Sequence, residues 1–108
     1  MAKKIPLEGK KRWRVLFRES DRWLAGLYIP ENRTREDVKV LEKHNASELF
    51  MLLDGNVTLV LKSDRGKARN VPLRKNELVI VDEWHNGYGR GKALVIERST
   101  NRTESMEL

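Results

Sequence analysis

EKHNASELFMLLDG, residues 42–55, answered further along the chain by Trp84-His85, decides how this sequence is read. The stretch opens polar, runs through an unbroken apolar segment from Leu49 to Leu53, and stops at Asp54-Gly55-Asn56. Gly and Asn tolerate positive φ, so that stop is a tight turn. Side chains alternate along a strand, which puts Glu48, Phe50 and Leu52 on one face. An ionised carboxylate beside two apolar side chains is costly unless it is paired, hydrogen-bonded or bound to a metal. In VKVLEKH, residues 38–44, Val38, Val40, Glu42 and His44 share one face, and Lys39, Leu41 and Lys43 the other. The first face is apolar at one end and carries a carboxylate and an imidazole at the other. An inward strand that turns polar as it reaches a barrel mouth has this pattern, with the two lysines toward solvent. The unbroken run at 48–53 predicts a strand covered on both faces, by the barrel interior and by a second sheet or a partner subunit. A homodimer is therefore expected.

Outward from this stretch, apolar runs of strand length recur between turn residues, near 12–18, 22–29, 37–44, 48–53, 57–62, 68–73, 77–81 and 92–98. Ser63-Asp64-Arg65-Gly66 is a second turn. Gly87, Gly89 and Gly91, alternating with Tyr88 and Arg90, read as a flexible connection. No segment carries a helical stripe. Eight short strands without intervening helices predict an all-β sandwich or barrel. The expected organisation is a basic N-terminal arm over residues 1–14, a barrel domain over 15–98, and a loose polar tail over 99–108, with no internal repeat.

The chain has 108 residues and a net charge of +6. Lys3, Lys4, Lys10, Lys11, Arg12 and Arg14, less Glu8, place +5 of it in the first 14 residues. The rest is nearly neutral, so the basicity belongs to the arm. Such an arm can track phosphates, but it is more often a solvated terminus, and nucleic acid is not the expected partner. Cysteine is absent, which excludes disulfides, thiolate metal sites and thiol nucleophiles. Any metal needs His, Asp or Glu ligands. Glutamine is also absent while Lys, Arg and Glu abound, a thermophile-like bias. No segment reads as a signal peptide or a membrane span, so a soluble, cytoplasmic protein with no membrane partner is expected.

The spacing of His44, three residues, Glu48, six residues, Gly55 resembles the second half of the first motif of the cupin superfamily. In that motif a Gly, five residues and His-x-His precede the Glu. Here Glu42 replaces the first His and Glu36 the Gly. The second motif, Gly, five residues, Pro-x-Gly, two residues, His, has Asn76 at its Gly, Asp82 at its Pro, and His85 two residues early. The resemblance covers roughly residues 37–98. It implies a cupin-type double-stranded β-helix, or jelly-roll barrel, of the RmlC-like small single-domain kind. Carried over position by position, it implies metal ligands at Glu42, His44, Glu48 and His85, for a divalent Fe, Mn, Ni or Zn.

The function expected on that basis is binding of a small polar molecule, sugar-like or anionic, in the barrel mouth. A catalytic version has two routes. In one a metal on those four residues polarises a carbonyl or hydroxyl, as in cupin isomerases and oxygenases. In the other, without metal, His44 or His85 is the base and Tyr88 the acid, as in sugar epimerases of the superfamily. The alternative is a non-catalytic barrel without metal that senses a ligand or binds a partner or nucleic acid. Tyr88, Tyr28, Trp84 and Phe50 are candidates for a pocket lining, with core packing the simpler role for each. For His44, His85 and Glu48 taken singly, the simpler roles are a strand-end hydrogen bond, stacking on Trp84, and pairing with Arg90 or Arg98.

Overall fold

The computed structural model describes residues 1–108. The elements are β1 Trp13–Glu19, β2 Trp23–Tyr28, a single 3-10 turn Arg35–Asp37, β3 Val40–His44, β4 Glu48–Gly55 and β5 Thr58–Lys62. They continue with β6 Arg69–Pro72, β7 Leu78–Val81, β8 Trp84–Tyr88, β9 Gly91–Arg98 and β10 Thr103–Glu107. Two five-stranded antiparallel sheets result, in the orders β1-β2-β9-β4-β7 and β10-β3-β8-β5-β6.

The pairings nest around the β5–β6 hairpin. Outward from it, β4 pairs with β7, β3 with β8 and β2 with β9, and successive pairs alternate between the sheets. A two-stranded ribbon wound in this way is the double-stranded β-helix expected from the sequence. Gly55 marks one crossing from sheet to sheet. It holds φ at 68°, and a Cβ there would lie 2.2 Å from the Arg90 carbonyl oxygen. The Asn56 N–H donates to that oxygen at 3.0 Å, and the Arg90 N–H donates to Asn56 Oδ1 at 3.1 Å. The two loops are thereby locked at one end of the barrel.

Tyr28, Phe50, Leu59, Leu61, Val81 and Val95 meet between the sheets as the main core. Val38, Leu41 and Val60 form a second buried cluster on the opposite face of the β3–β8–β5 sheet. This changes the expected pattern of 38–44. Glu42 and His44 do line the space between the sheets, but Val40 is exposed, and Val38, which caps the 3-10 turn ahead of β3, packs outside with Leu41. Leu41 is buried rather than solvent-facing because Met106, opposite it on β10, and the Trp84 and Tyr88 side chains cover it.

Two segments read as irregular are strands. Residues 84–88, which run into the Gly-rich stretch read as a flexible connection, form β8, which pairs along five residues of β5. Residues 103–107, within the expected loose tail, form β10, which pairs with the whole of β3. As an edge strand β10 contributes one apolar side chain, Met106, so hydrophobic periodicity gives it almost no signal. The N-terminal arm is tethered. Its last two residues begin β1, Arg14 donates to the Pro6 and Glu8 carbonyls, and Lys92 Nζ donates to the Leu7 carbonyl at 2.7 Å. No helix is long and apolar enough to cross a membrane.

Candidate metal centre and ligand cavity

A cavity of about 380 Å³ opens between the sheets. That volume suits a small metabolite. Glu42, His44, Glu48 and His85 all line it. Three of them converge: the ligand atoms of His44, Glu48 and His85 lie within 4.8 Å of one another. His44 Nε2 is 2.9 Å and His85 Nε2 is 3.2 Å from Glu48 Oε1. His44 closes β3, His85 is the second residue of β8, and Glu48 opens β4 in the facing sheet. The short 45–47 connection sets His44 beside Glu48, and the barrel closure brings His85 to them.

Glu48 is 4 % exposed and His85 8 %. Both contacts to Oε1 are close in distance, yet no ring N–H points along them, and Oε1 is buried without a true hydrogen-bond donor. They act as electrostatic contacts, because a hydrogen bond weakens steeply away from linearity. Burial pushes the Glu48 carboxyl up, but the two imidazoles beside it outweigh burial and hold it down at about 2. The Glu48 carboxylate against Nε2 raises His44 above 6.5, with burial opposing.

The outer ring nitrogens are already occupied. His85 Nδ1 lies 2.9 Å from the Glu83 carbonyl oxygen and His44 Nδ1 lies 3.0 Å from Thr103 Oγ1. A carbonyl only accepts, so His85 carries a proton on Nδ1, and in the neutral ring its Nε2 presents a lone pair to Glu48. Two acceptors facing each other in a buried place call for a proton or a cation between them. Donors about 2.1 Å from one divalent ion stand roughly 3.0–3.4 Å apart, close to the two separations observed. The residues therefore fit such an ion.

Glu42 does not enter this group. Its carboxylate lies 3.8 Å from Arg12 Nη2, at the cavity wall, although its Cα is paired with that of His85 across β3 and β8. Tyr88 is not in the cavity. Alternation along β8 sends His85 and Gly87 inward, and Trp84 and Tyr88 outward onto the Val38–Leu41–Val60 cluster. The metal-free route through Tyr88 thus loses its acid. Trp84 donates to Asp64 Oδ1 at 2.8 Å and is not stacked on His85, and no arginine or lysine pairs with Glu48.

The aromatic wall is Tyr28 and Phe50, as expected, together with Trp13. Phe50 meets the His85 ring edge-on at 5.9 Å between centroids, and Tyr28 meets Phe50 at 6.2 Å. Burial, partly offset by Arg12, pushes the Tyr28 hydroxyl up to about 12, so it keeps its proton. Arg12, Arg18 and Arg98 also line the cavity. Glu97, Ser99, Asn101 and Thr103, which carry no motif or pattern signal, line it from β9, the following turn and β10. The three buried side-chain polar atoms without a hydrogen-bond partner are Glu48 Oε1, Ser99 Oγ and Asn101 Oδ1, and all three residues line this one cavity.

No protein-family model matches the sequence, and no curated protein is similar to it. Solved structures are similar in fold. A cupin 2 domain-containing protein from Halorhodospira halophila superposes with a TM-score of 0.61 at 19% identity, over 90% of this chain and 70% of that one. A cupin-2 domain containing protein from Shewanella frigidimarina gives 0.58 at 19% identity, over 80% of this chain and 78% of that one. An RmlC-like cupin protein from Desulfovibrio desulfuricans gives 0.50 at 16% identity, over 89% and 94%. The chain has the cupin fold.

Proposed function

We propose that this cupin-fold protein binds a divalent metal at His44, Glu48 and His85 and, above it, a small anionic or sugar-like molecule. One observation carries the metal: Glu48 Oε1 is buried between two imidazole Nε2 atoms with no aligned donor, while His85 Nδ1 is spent on Glu83. Fe, Mn, Ni and Zn all accept a mixed imidazole and carboxylate donor set. When bound, such an ion supplies Lewis acidity to a carbonyl or hydroxyl oxygen.

The chain's own residues supply the ligand chemistry. Ser99 Oγ and Asn101 Oδ1, buried and unpartnered, offer hydrogen bonds to hydroxyl or amine groups. Arg12, Arg18 and Arg98 favour a carboxylate or phosphate at the cavity wall. Trp13, Tyr28 and Phe50 supply an apolar surface for the body of the ligand.

The test is elemental analysis of protein purified without a metal-affinity tag, followed by titration of metal-depleted protein with each divalent ion. About one equivalent of metal, lost in Glu48→Gln, is expected. Wild type that takes up no ion refutes the reading.

We further propose that a second copy of the chain covers the outer face of the β1-β2-β9-β4-β7 sheet. Leu78 is 56 % and Ile80 65 % exposed there, and Met51 is exposed beside them. At the other end of the same face the arm packs Gly9 near Leu27, which is fully buried. The open end is apolar, and a two-fold axis through it would set Leu78 and Ile80 against their own copies.

A further inference from the structure

We infer that Glu97, and not Glu42, is the fourth protein ligand of the metal site, held in place by Asn101. The inference rests on the metal reading above and deepens it. The expected donor set of two imidazoles and two carboxylates is kept, but its second carboxylate comes from β9.

Three observations lead there. Glu97 Oε2 lies 4.0 Å from His44 Nε2, on a nitrogen that Glu48 Oε1 already approaches at 2.9 Å. Two donors bound to one ion at about 2.1 Å can be no more than roughly 4.2 Å apart, so Glu97 is within reach of an ion on His44; Glu97 stands outside the group whose donors all lie within 4.8 Å of one another, so joining Glu48 and His85 on that ion takes a turn of its side chain. Second, Glu97 is largely buried in the cavity with no lysine or arginine within ion-pair distance of it. Glu42, by contrast, is engaged by Arg12. Two buried carboxylates, Glu48 and Glu97, among two imidazoles leave a negative excess that a single divalent cation neutralises. Third, Asn101 Nδ2 donates to Glu97 Oε2 at 3.0 Å. An amide held on a ligating carboxylate orients it and is the kind of supporting contact that tunes metal sites. Asn101 in turn is placed by the turn between β9 and β10, whose other end sets Thr103 on His44. One turn therefore supports two of the four ligands.

The experiment is Co²⁺ titration of metal-depleted wild type, Glu97→Gln, Glu42→Gln and Asn101→Ala, reading affinity and the visible absorption that reports coordination number. Folding is checked by circular dichroism. Glu97→Gln should bind about 10-fold to 100-fold more weakly, with an altered spectrum. Asn101→Ala should bind several-fold more weakly with the wild-type spectrum, and Glu42→Gln should match wild type. Wild-type affinity and spectrum in Glu97→Gln overturn the inference while leaving the three-residue site standing. So does a loss confined to Glu42→Gln. Should Glu97→Gln not fold, wild-type affinity in Asn101→Ala overturns it. If wild type itself takes up no Co²⁺, the metal reading and this inference fall together.

Discussion

His85 and Glu48 face each other from opposite sheets with Nε2 and Oε1 3.2 Å apart, and the proton of the imidazole is on the far side of the ring, at Glu83. A structural histidine on a buried carboxylate would turn its N–H toward the oxygen. Here that N–H is given to a carbonyl two residues back, and the lone pair is kept for the cavity. Fixing the tautomer by an outer contact is how proteins prepare an imidazole to ligate.

The metal-free protein should be most stable between about pH 4.5 and 6.5. Glu48 falls from 4.5 to about 2 on folding, so its contribution is complete above 4.5 and is lost as pH drops toward 2. His44 is raised above 6.5, so its contribution is complete below 6.5 and is lost as pH rises through its folded value. Glu97, raised by burial and by the Glu48 charge, acts in the opposite sense and erodes stability above 4.5. Urea unfolding of metal-depleted Glu48→Gln should show a much flatter profile on both sides. Exposed Asp37 and Asp64 and half-buried Glu83, also lowered, keep a residual acid slope. An unchanged profile would mean that the His44–Glu48 contact carries no weight.

Gly87→Ala should destabilise the fold by roughly 1–3 kcal/mol through overpacking. Its Cβ would stand 2.6 Å from Tyr28 Oη and 3.1 Å from Cε2. Removing the hydroxyl with Tyr28→Phe in the same chain should recover part of the loss, and the coupling is read from a double-mutant cycle of unfolding free energies. Strict additivity would show that the clash is relieved elsewhere. The pair also separates the two tyrosines: Tyr88→Phe, on the outer face, should leave metal and ligand affinity unchanged.

The barrel was legible because its inner strands have strong local signals. Leu49 to Leu53, 57–62 and 92–98 combine apolar runs with turn residues at each end, and the structure places strands at all three. His44, Glu48 and His85 were legible through spacing. Glu42 was misplaced because spacing fixes which face a residue is on and not where a long side chain turns; Arg12, from a distant strand, decides that. Tyr88 was misplaced because residues 84–88 were not recognised as a strand, and only a strand register reveals that it opposes His85. Gly87 weakens the local strand signal, yet it is needed where Tyr28 crosses β8. Glu97, Ser99, Asn101 and Thr103 were invisible for a different reason. They enter the cavity through long-range closure of β9 and β10 onto β2 and β3, which no local pattern encodes.

Ile80→Lys should convert a dimer to a monomer without loss of fold. Ile80 is exposed on β7, at the edge of the sheet, and its side chain carries none of the inner core. A surface substitution of this kind costs about 0.5 kcal/mol or less in a monomer, whereas a charge placed in an apolar two-fold contact is met by its own copy. Sedimentation velocity of the two proteins decides it. A wild type that sediments as a monomer at all concentrations, or a variant that stays dimeric, places the subunit contact elsewhere or removes it.

Thr103→Val should weaken metal binding by about 10-fold or more while hardly changing the stability of the metal-free protein. Thr103 lies opposite His44 on β10, and its Oγ1 is 3.0 Å from His44 Nδ1. Valine keeps the β-branched shape that an edge strand accepts and removes only the hydroxyl. Without it the His44 ring loses the contact that fixes its orientation, and Nε2 is held only by the carboxylates it is meant to share with a cation. The cost therefore falls on the bound state. Two measurements on wild type and variant are needed, isothermal titration with Zn²⁺ and urea unfolding of the metal-depleted proteins. Equal affinities would show that His44 needs no support from β10. A large loss of metal-free stability with unchanged affinity would make Thr103 a structural tie between β10 and β3, and the tail a brace for the barrel rather than part of the site.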